Sequence, residues 1–300
     1  MKKPSSYIIS MLLSVAFVFV TIGLMGTMVA FIHATPEKAI KLAEDKQITP
    51  MISKEIETYF KERTNTSGIP AQVYTDAITE AEINQIRDQR IRDGFTFMSS
   101  GNTSDGIVEL DKLDQSIEEF FSGYADENGI DKDEKYQTAL EKAQASAKKV
   151  VSEKCDIYKI SSLQSHGVLK KAGIVYRNLG YIIAGLFAAA AVLILLLLAA
   201  CRKEKRSVLY WTGVSALVAG AVGTVPSAVL LATDYFKSFS IKQPSVFTAY
   251  TSAMNGLTCA FMAASIAVTA VGIALLIVYG VILSKEKSVS PTDVSNVSDK

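Results

Sequence analysis

His33 and His166 are the two histidines of this 300-residue chain, and histidine is the side chain best placed to move protons near neutral pH. Each stands without a Cys or carboxylate at metal-ligand spacing, so neither is expected to hold zinc. No Ser or Cys with a third orienting group accompanies them in sequence, which also argues against a general base serving a nucleophile. The stretch Asp126-Glu127-Asn128-Gly129-Ile130-Asp131-Lys132-Asp133-Glu134 is dense in the oxygen ligands that calcium takes. It departs from the EF-hand pattern. Counted from Asp126, glycine falls fourth instead of sixth, and the twelfth residue is Gln137 instead of a bidentate acid. A solvated turn leading into a helix N-cap accounts for the same residues. Walker A and dinucleotide-binding glycine patterns are missing from the sequence. No catalytic, cofactor-binding or metal residue is therefore assigned, no cofactor is expected, and the chain reads as non-enzymatic.

Cys155, Cys201 and Cys259 fall in three different segments, so no internal disulfide is expected. Asn65-Thr66-Ser67, Asn102-Thr103-Ser104 and Asn296-Val297-Ser298 match the glycosylation sequon, a short and often accidental motif. From 34 to 173 there are 25 Asp or Glu against 19 Lys or Arg, a net charge of −6, and no basic stripe. That balance argues against nucleic acid as a partner.

Four apolar runs surround these groups, at residues 7–32, 179–200, 208–232 and 256–283, with no Asp, Glu, Lys or Arg in any of them. Three of them exceed the length a bilayer crossing needs, and the chain reads as a membrane protein. The first is too long for a signal-peptide core and lacks a convincing cleavage site, so it reads as a retained anchor. Lys2 and Lys3 precede the first run, Arg202, Lys203, Lys205 and Arg206 separate the second and third, and Lys285 and Lys287 follow the fourth. Basic flanks stay in the cytoplasm. The expected layout is a cytoplasmic N-terminus at 1–6, spans at 7–32, 174–200, 208–232 and 250–283, an extracellular domain at 33–173, a cytoplasmic turn at 201–207, an extracellular loop at 233–249 and a cytoplasmic tail at 284–300. The four runs hold no Asp, Glu, Lys, Arg or His, which argues against a proton or ion pathway and against intramembrane proteolysis. Asn255, Arg177 and Asn178 read as boundary residues. Tyr235, Phe236, Phe239 and Phe247 read as an interfacial aromatic belt. Small residues recur every fourth position, as at Gly180, Ala184 and Ala188, at Ala216 and Gly220, and at Gly256, Ala260 and Ala264, which predicts close helix packing.

Within 33–173 the apolar spacing is helical and no alternating run appears. Thr35-Pro36 and Thr49-Pro50 predict helix starts with a capping hydroxyl before a first-turn proline. Gly68-Ile69-Pro70 predicts a break. Thr79 with Glu82 predicts a capping box for a helix ending at Gly94, followed by a loop over 95–106. Leu110 to Tyr124 predicts a helix stopped by Asn128-Gly129. Asp131 with Glu134 predicts the cap of another that runs to about Ser162. The fold class is all-α: a four-helix transmembrane bundle with an extracytoplasmic bundle of four or five helices inserted between the first and second spans.

The segments Ser67-Gly68-Ile69-Pro70-Ala71-Gln72-Val73-Tyr74 and Cys155-Asp156-Ile157-Tyr158-Lys159, set in this layout, resemble uncharacterised four-span membrane proteins of Gram-positive Firmicutes with a large extracellular helical domain. The resemblance covers most of the chain and implies topology, since that family has no assigned activity. FtsX-type permeases share the large loop after the first of four spans, but have a longer inner connection. Chemoreceptor-like sensors share the helical bundle between two spans, but continue into a cytoplasmic signalling helix. The expected role is a non-enzymatic plasma membrane protein that binds, senses or scaffolds at the cell envelope through its extracellular domain. Its partners are then the bilayer and an envelope protein or extracellular ligand, with assembly into a homo-oligomer allowed by the small-residue faces. The alternative is a permease or channel subunit working with a separate partner such as an ATPase.

Overall fold

The computed structural model describes residues 4–102, 110–202 and 204–288. Lys2, Lys3, Thr103, Ser104, Lys203 and the sequon at 296–298 lie outside the described residues. Eleven α-helices and one 3-10 turn make up the described fold, with no strand among them, as the helical spacing predicted. Four helices are long and apolar enough to cross a membrane: α1 (Pro4–His33), α9 (Val168–Ala200), α10 (Ser207–Ala232) and α11 (Pro244–Ser288). Between the first two lie α2 (Pro36–Asp45), α3 (Ile48–Ser67), α4 (Ala71–Thr75), α5 (Glu80–Ser100), α6 (Asp111–Asn128), α7 (Glu134–Cys155) and α8 (Ile160–Ser165). That is seven helices where the apolar spacing suggested four or five, because α4 and α8 are single short turns too brief to show a period.

The chain divides into two compact units. The apolar unit takes Met1–His33, Asn178–Ser238 and Asn255–Lys300; the polar unit takes Ala34–Arg177 and Phe239–Met254. The segment between α10 and α11, including the first turns of α11, thus belongs to the polar unit.

In the apolar unit α1 lies along α10. The Ser14 and Ser215 hydroxyls are 2.6 Å apart, Ser10 Oγ sits 3.6 Å from Cys201 Sγ, and Tyr7 meets Trp211 edge-on at 5.4 Å. Helices α10 and α11 approach closely because glycines face each other. A Cβ on Gly220 would overlap Thr269 Oγ1 and lie 2.6 Å from the Ser265 carbonyl oxygen, and one on Gly272 would lie 2.6 Å from the Leu217 nitrogen. Gly213 and Gly223 are similarly tight. The seam expected at Ala216 and Gly220 is present. Gly180, Gly185 and Gly256 have open space where a Cβ would stand, so the stripes on α9 and on the early part of α11 are not used in this packing. Pro226 is accommodated within α10, which continues unbroken to Ala232.

The polar unit is built on Ile48, Ile52, Ile56, Ile83, Ile91, Leu113, Ile117 and Val151, all essentially inaccessible to solvent. Each such side chain contributes about 1.5–3 kcal/mol on burial. Phe60 stacks on Tyr74 at 4.0 Å, closing α3 over α4, and Ala249 of α11 is part of the same core. Several helix boundaries follow the sequence: Thr35 caps α2, Thr79 and Glu82 form both bonds of a capping box, and Gly68 and Gly129 end α3 and α6 in the left-handed region.

Other boundaries differ. Helix α5 continues past Gly94 to Ser100 and ends at Gly101, whose φ is +79°. Gly94 serves packing instead: a Cβ there would stand 2.6 Å from Ile160 Cδ1. The expected loop over 95–106 is therefore helix as far as Ser100, and residues 103–109 lie outside the described residues. Helix α3 starts at Ile48, behind a left-handed Gln47, and Thr49 lies buried inside the first turn instead of capping it. Asp133, not Asp131, caps α7, accepting from the Lys135 and Tyr136 amides at 3.0 Å each. Helix α7 stops at Cys155, because Asp156 turns its carboxylate onto the next helix. Helix α9 begins at Val168, so Gly173 lies inside a helix, against α5, where a Cβ would be 2.9 Å from the Met98 carbonyl oxygen. Helix α11 begins at Pro244, six residues before the expected 250.

Candidate functional site

The densest set of buried polar groups lies inside the polar unit, around Arg87. Ile83, Arg87 and Ile91 fall one helical turn apart on the inner face of α5, so the arginine is carried into the core by the same spacing that buries the isoleucines. Its side chain is 1% exposed. Nε and Nη2 donate to Asp88 Oδ1 at 2.8 and 2.6 Å, and Nη1 donates to Thr49 Oγ1 at 2.7 Å. Thr49 in turn donates to Asn84 Oδ1. Arg90 of the same helix donates to Ser152 Oγ on α7.

Cys155 closes the far side of this cluster. Burial pushes its thiol up to about 12, against the smaller opposing pull of Arg87 and Arg90. Asp156, also buried, accepts from the Ile160 and Ser161 amides at 2.7 and 2.9 Å and so caps α8. Burial likewise raises the Tyr158 hydroxyl to about 12. Lys159 holds a left-handed backbone, and burial lowers its ammonium pKa against the nearby carboxylates of Asp156, Glu55 and Glu153. The thiol and the phenol stay protonated at neutral pH, and the guanidinium has no proton to give. The cluster joins α3, α5 and α7; it presents no activated nucleophile.

A second polar site ties α11 into the polar unit. Glu55 of α3 accepts from the Ser245 amide at 2.8 Å, from Ser245 Oγ at 3.0 Å and from Gln243 Nε2 at 2.7 Å. It is a helix N-cap supplied from another helix, beside the first-turn Pro244. Tyr250 donates to the Tyr158 carbonyl oxygen at 2.6 Å, and Thr248 reaches Met51 Sδ at 3.6 Å. Ser245, Val246 and Ala249 are buried.

The residues whose types could do chemistry are dispersed. His33 is the last residue of α1. His166 Nδ1 lies 2.7 Å from the Ser162 carbonyl oxygen, in the turn that ends α8. No group of three or more His, Cys, Asp or Glu is arranged to hold a metal ion among the described residues. The three cysteines are free, with Cys155 and Cys201 buried and Cys259 exposed. Within the acidic stretch Lys132 pairs with Asp126 at 2.9 Å, and Asp133 is engaged as the α7 cap. Asn65-Thr66-Ser67 forms the last residues of α3, and Ser67 Oγ accepts from the Ile69 amide at 3.2 Å.

The chain matches no protein-family model, no curated protein and no solved structure. The two segments that carry the resemblance noted above are both structural joints: 67–74 supplies the left-handed Gly68 and the stacked Tyr74, and 155–159 supplies the buried Cys155, the Asp156 cap and the left-handed Lys159.

Glu55 and Arg87 are polar residues that the sequence patterns leave unassigned. Arg87 had a readable signal, a cation one turn from apolar residues on either side. Glu55 had none, since its partners are about 190 positions away.

Proposed function

We propose that this is a four-span plasma membrane protein whose polar helical unit stands outside the cell and binds an envelope protein or extracellular ligand, without catalysis. The observation that carries the reading is the composition of the polar unit. It gathers the chain between α1 and α9 together with the segment between α10 and α11, the two stretches that share one side when four spans alternate. Arg202, Lys205 and Arg206 in the α9–α10 turn, with Lys285 near the end of α11, supply the basic residues expected on the opposite, cytoplasmic side. Both termini then lie in the cytoplasm. The buried polar groups of the unit are committed to holding helices together, which suits a rigid binding module better than an enzyme.

The rival reading, a permease or channel subunit, draws on the open faces at Gly180, Gly185 and Gly256, which leave room for another chain to pack. Crosslinking in live cells with mass spectrometry, run beside flux measurements in liposomes, separates the two. The binding reading expects a specific envelope adduct and no flux. Measured flux without any envelope adduct would overturn it.

A further inference from the structure

The acidity of the polar domain is concentrated in one corner. Residues 111–134, forming α6 and its connection into α7, hold nine Asp or Glu against two Lys, net −7. The rest of 34–173 holds sixteen acids and seventeen bases, net +1. The same corner holds exposed apolar surface. Among the described residues from 34 to 167, the large hydrophobics left exposed are Tyr124 at 55% and Ile130 at 46%.

The reason lies in α6 itself. Leu113, Ile117, Phe120 and Tyr124 follow helical spacing, but the domain covers only the first two fully. Phe120 is half-buried and stacks on Tyr124 at 6.4 Å, so the apolar stripe runs a turn beyond the core. Gly129 then folds the chain back, with the Ile130 amide donating to the Ala125 carbonyl oxygen at 2.9 Å, which sets Ile130 near the same helix end. Lys132 is engaged with Asp126 and Ser122. Glu118, Glu119, Glu127 and Asp131 have no ion-pair partner among the described residues.

We infer that this corner is a docking surface for a cationic amphipathic polypeptide segment, its apolar side covering Phe120, Tyr124 and Ile130 and its Lys or Arg side chains meeting Glu119, Glu127 and Asp131. This rests on reading the polar unit as a binding module and names its surface and partner chemistry. Charge decides among the occupants. A second copy bringing the same face would set net −7 against net −7, and an anionic lipid surface would be repelled.

The test uses the full chain in phosphatidylcholine nanodiscs, titrated with a synthetic amphipathic Leu/Lys peptide and corrected against empty nanodiscs. Tyr124→Ser with Ile130→Ser should weaken binding about tenfold or more. Glu127→Gln with Asp131→Asn should flatten its salt dependence. Glu44→Gln with Asp45→Asn on α2 should leave both unchanged. All these positions are exposed, and unchanged thermal unfolding confirms that the variants fold. Equal affinity across the variants, no binding above empty nanodiscs, displacement of the peptide by calcium, or self-association lost with Tyr124→Ser would each overturn the proposal. An envelope adduct in cells that does not involve this corner would sink the surface but leave the binding-module reading standing; flux in liposomes without any adduct would sink both.

Discussion

Arg87 and Cys155 show how a polar residue comes to lie in a core that has no use for its reactivity. The guanidinium donates three hydrogen bonds to Asp88 and Thr49, and removing it leaves those acceptors without their cation. Arg87→Ala should therefore destabilise the protein by about 3 kcal/mol in thermal or denaturant unfolding, at the lower end for a broken buried pair because Asp88 keeps some solvent. Cys155 and Tyr158 make the polar unit alkali-sensitive. Both pKa values are raised in the folded state, from 9.0 and 10.0 to about 12, so their stabilising contribution is complete below the unfolded values and is lost as pH climbs toward 12. Unfolding free energy should fall between pH 9 and 12, and Cys155→Ala should flatten the fall that begins near pH 9 without abolishing the one that begins near 10. A slope unchanged by Cys155→Ala would mean that the thiol already meets water. Of this scale the sequence carries a signal for Arg87, its place between Ile83 and Ile91, but Arg87 is not among the residues assigned from it. It did not show the Glu55 cap, because nothing local distinguishes a glutamate that will meet a helix end nearly two hundred residues later.

Helix boundaries were legible where the signal is made by neighbours in sequence and misleading where it is made by contacts across the fold. The Thr79–Glu82 box and the stop at Gly129 need only their own turns. Gly94 looks like a stop but is a contact point, and there, as at Gly173, another helix approaches too closely for a side chain. The same rule sorts the glycines of the apolar helices. Gly220→Ala should cost about 1–3 kcal/mol by forcing α10 and α11 apart, and Gly220→Glu should abolish the folded species on gel filtration, while Gly180→Ala should be nearly silent. Equal behaviour of the Gly220 and Gly180 variants would remove the seam. At the start of α11, Glu55→Ala should remove about 1–2 kcal/mol of capping. That opens the segment roughly tenfold more often. Trypsin cleavage after the exposed Lys242, followed by mass spectrometry, reads the change.

For the molecule as a whole, four apolar runs predict four helices able to cross a membrane, and helices long and apolar enough to do so are present. What the runs could not announce was that the polar unit is discontinuous. The segment Phe239–Met254 completes a core begun two hundred residues earlier, so residues 34–177 expressed alone would lack the Ala249 contact and the partners of Glu55. This joins the two connections into one folding unit and makes their sidedness a single question. Cysteine labelling in intact cells, in a background with the native cysteines replaced, answers it most directly. Ser100→Cys and Lys242→Cys should both react with an impermeant maleimide added outside, and Arg202→Cys should react only after the membrane is opened. Labelling of Arg202→Cys alone in intact cells, or of only one of the other two, would contradict an outward-facing polar unit made from both segments.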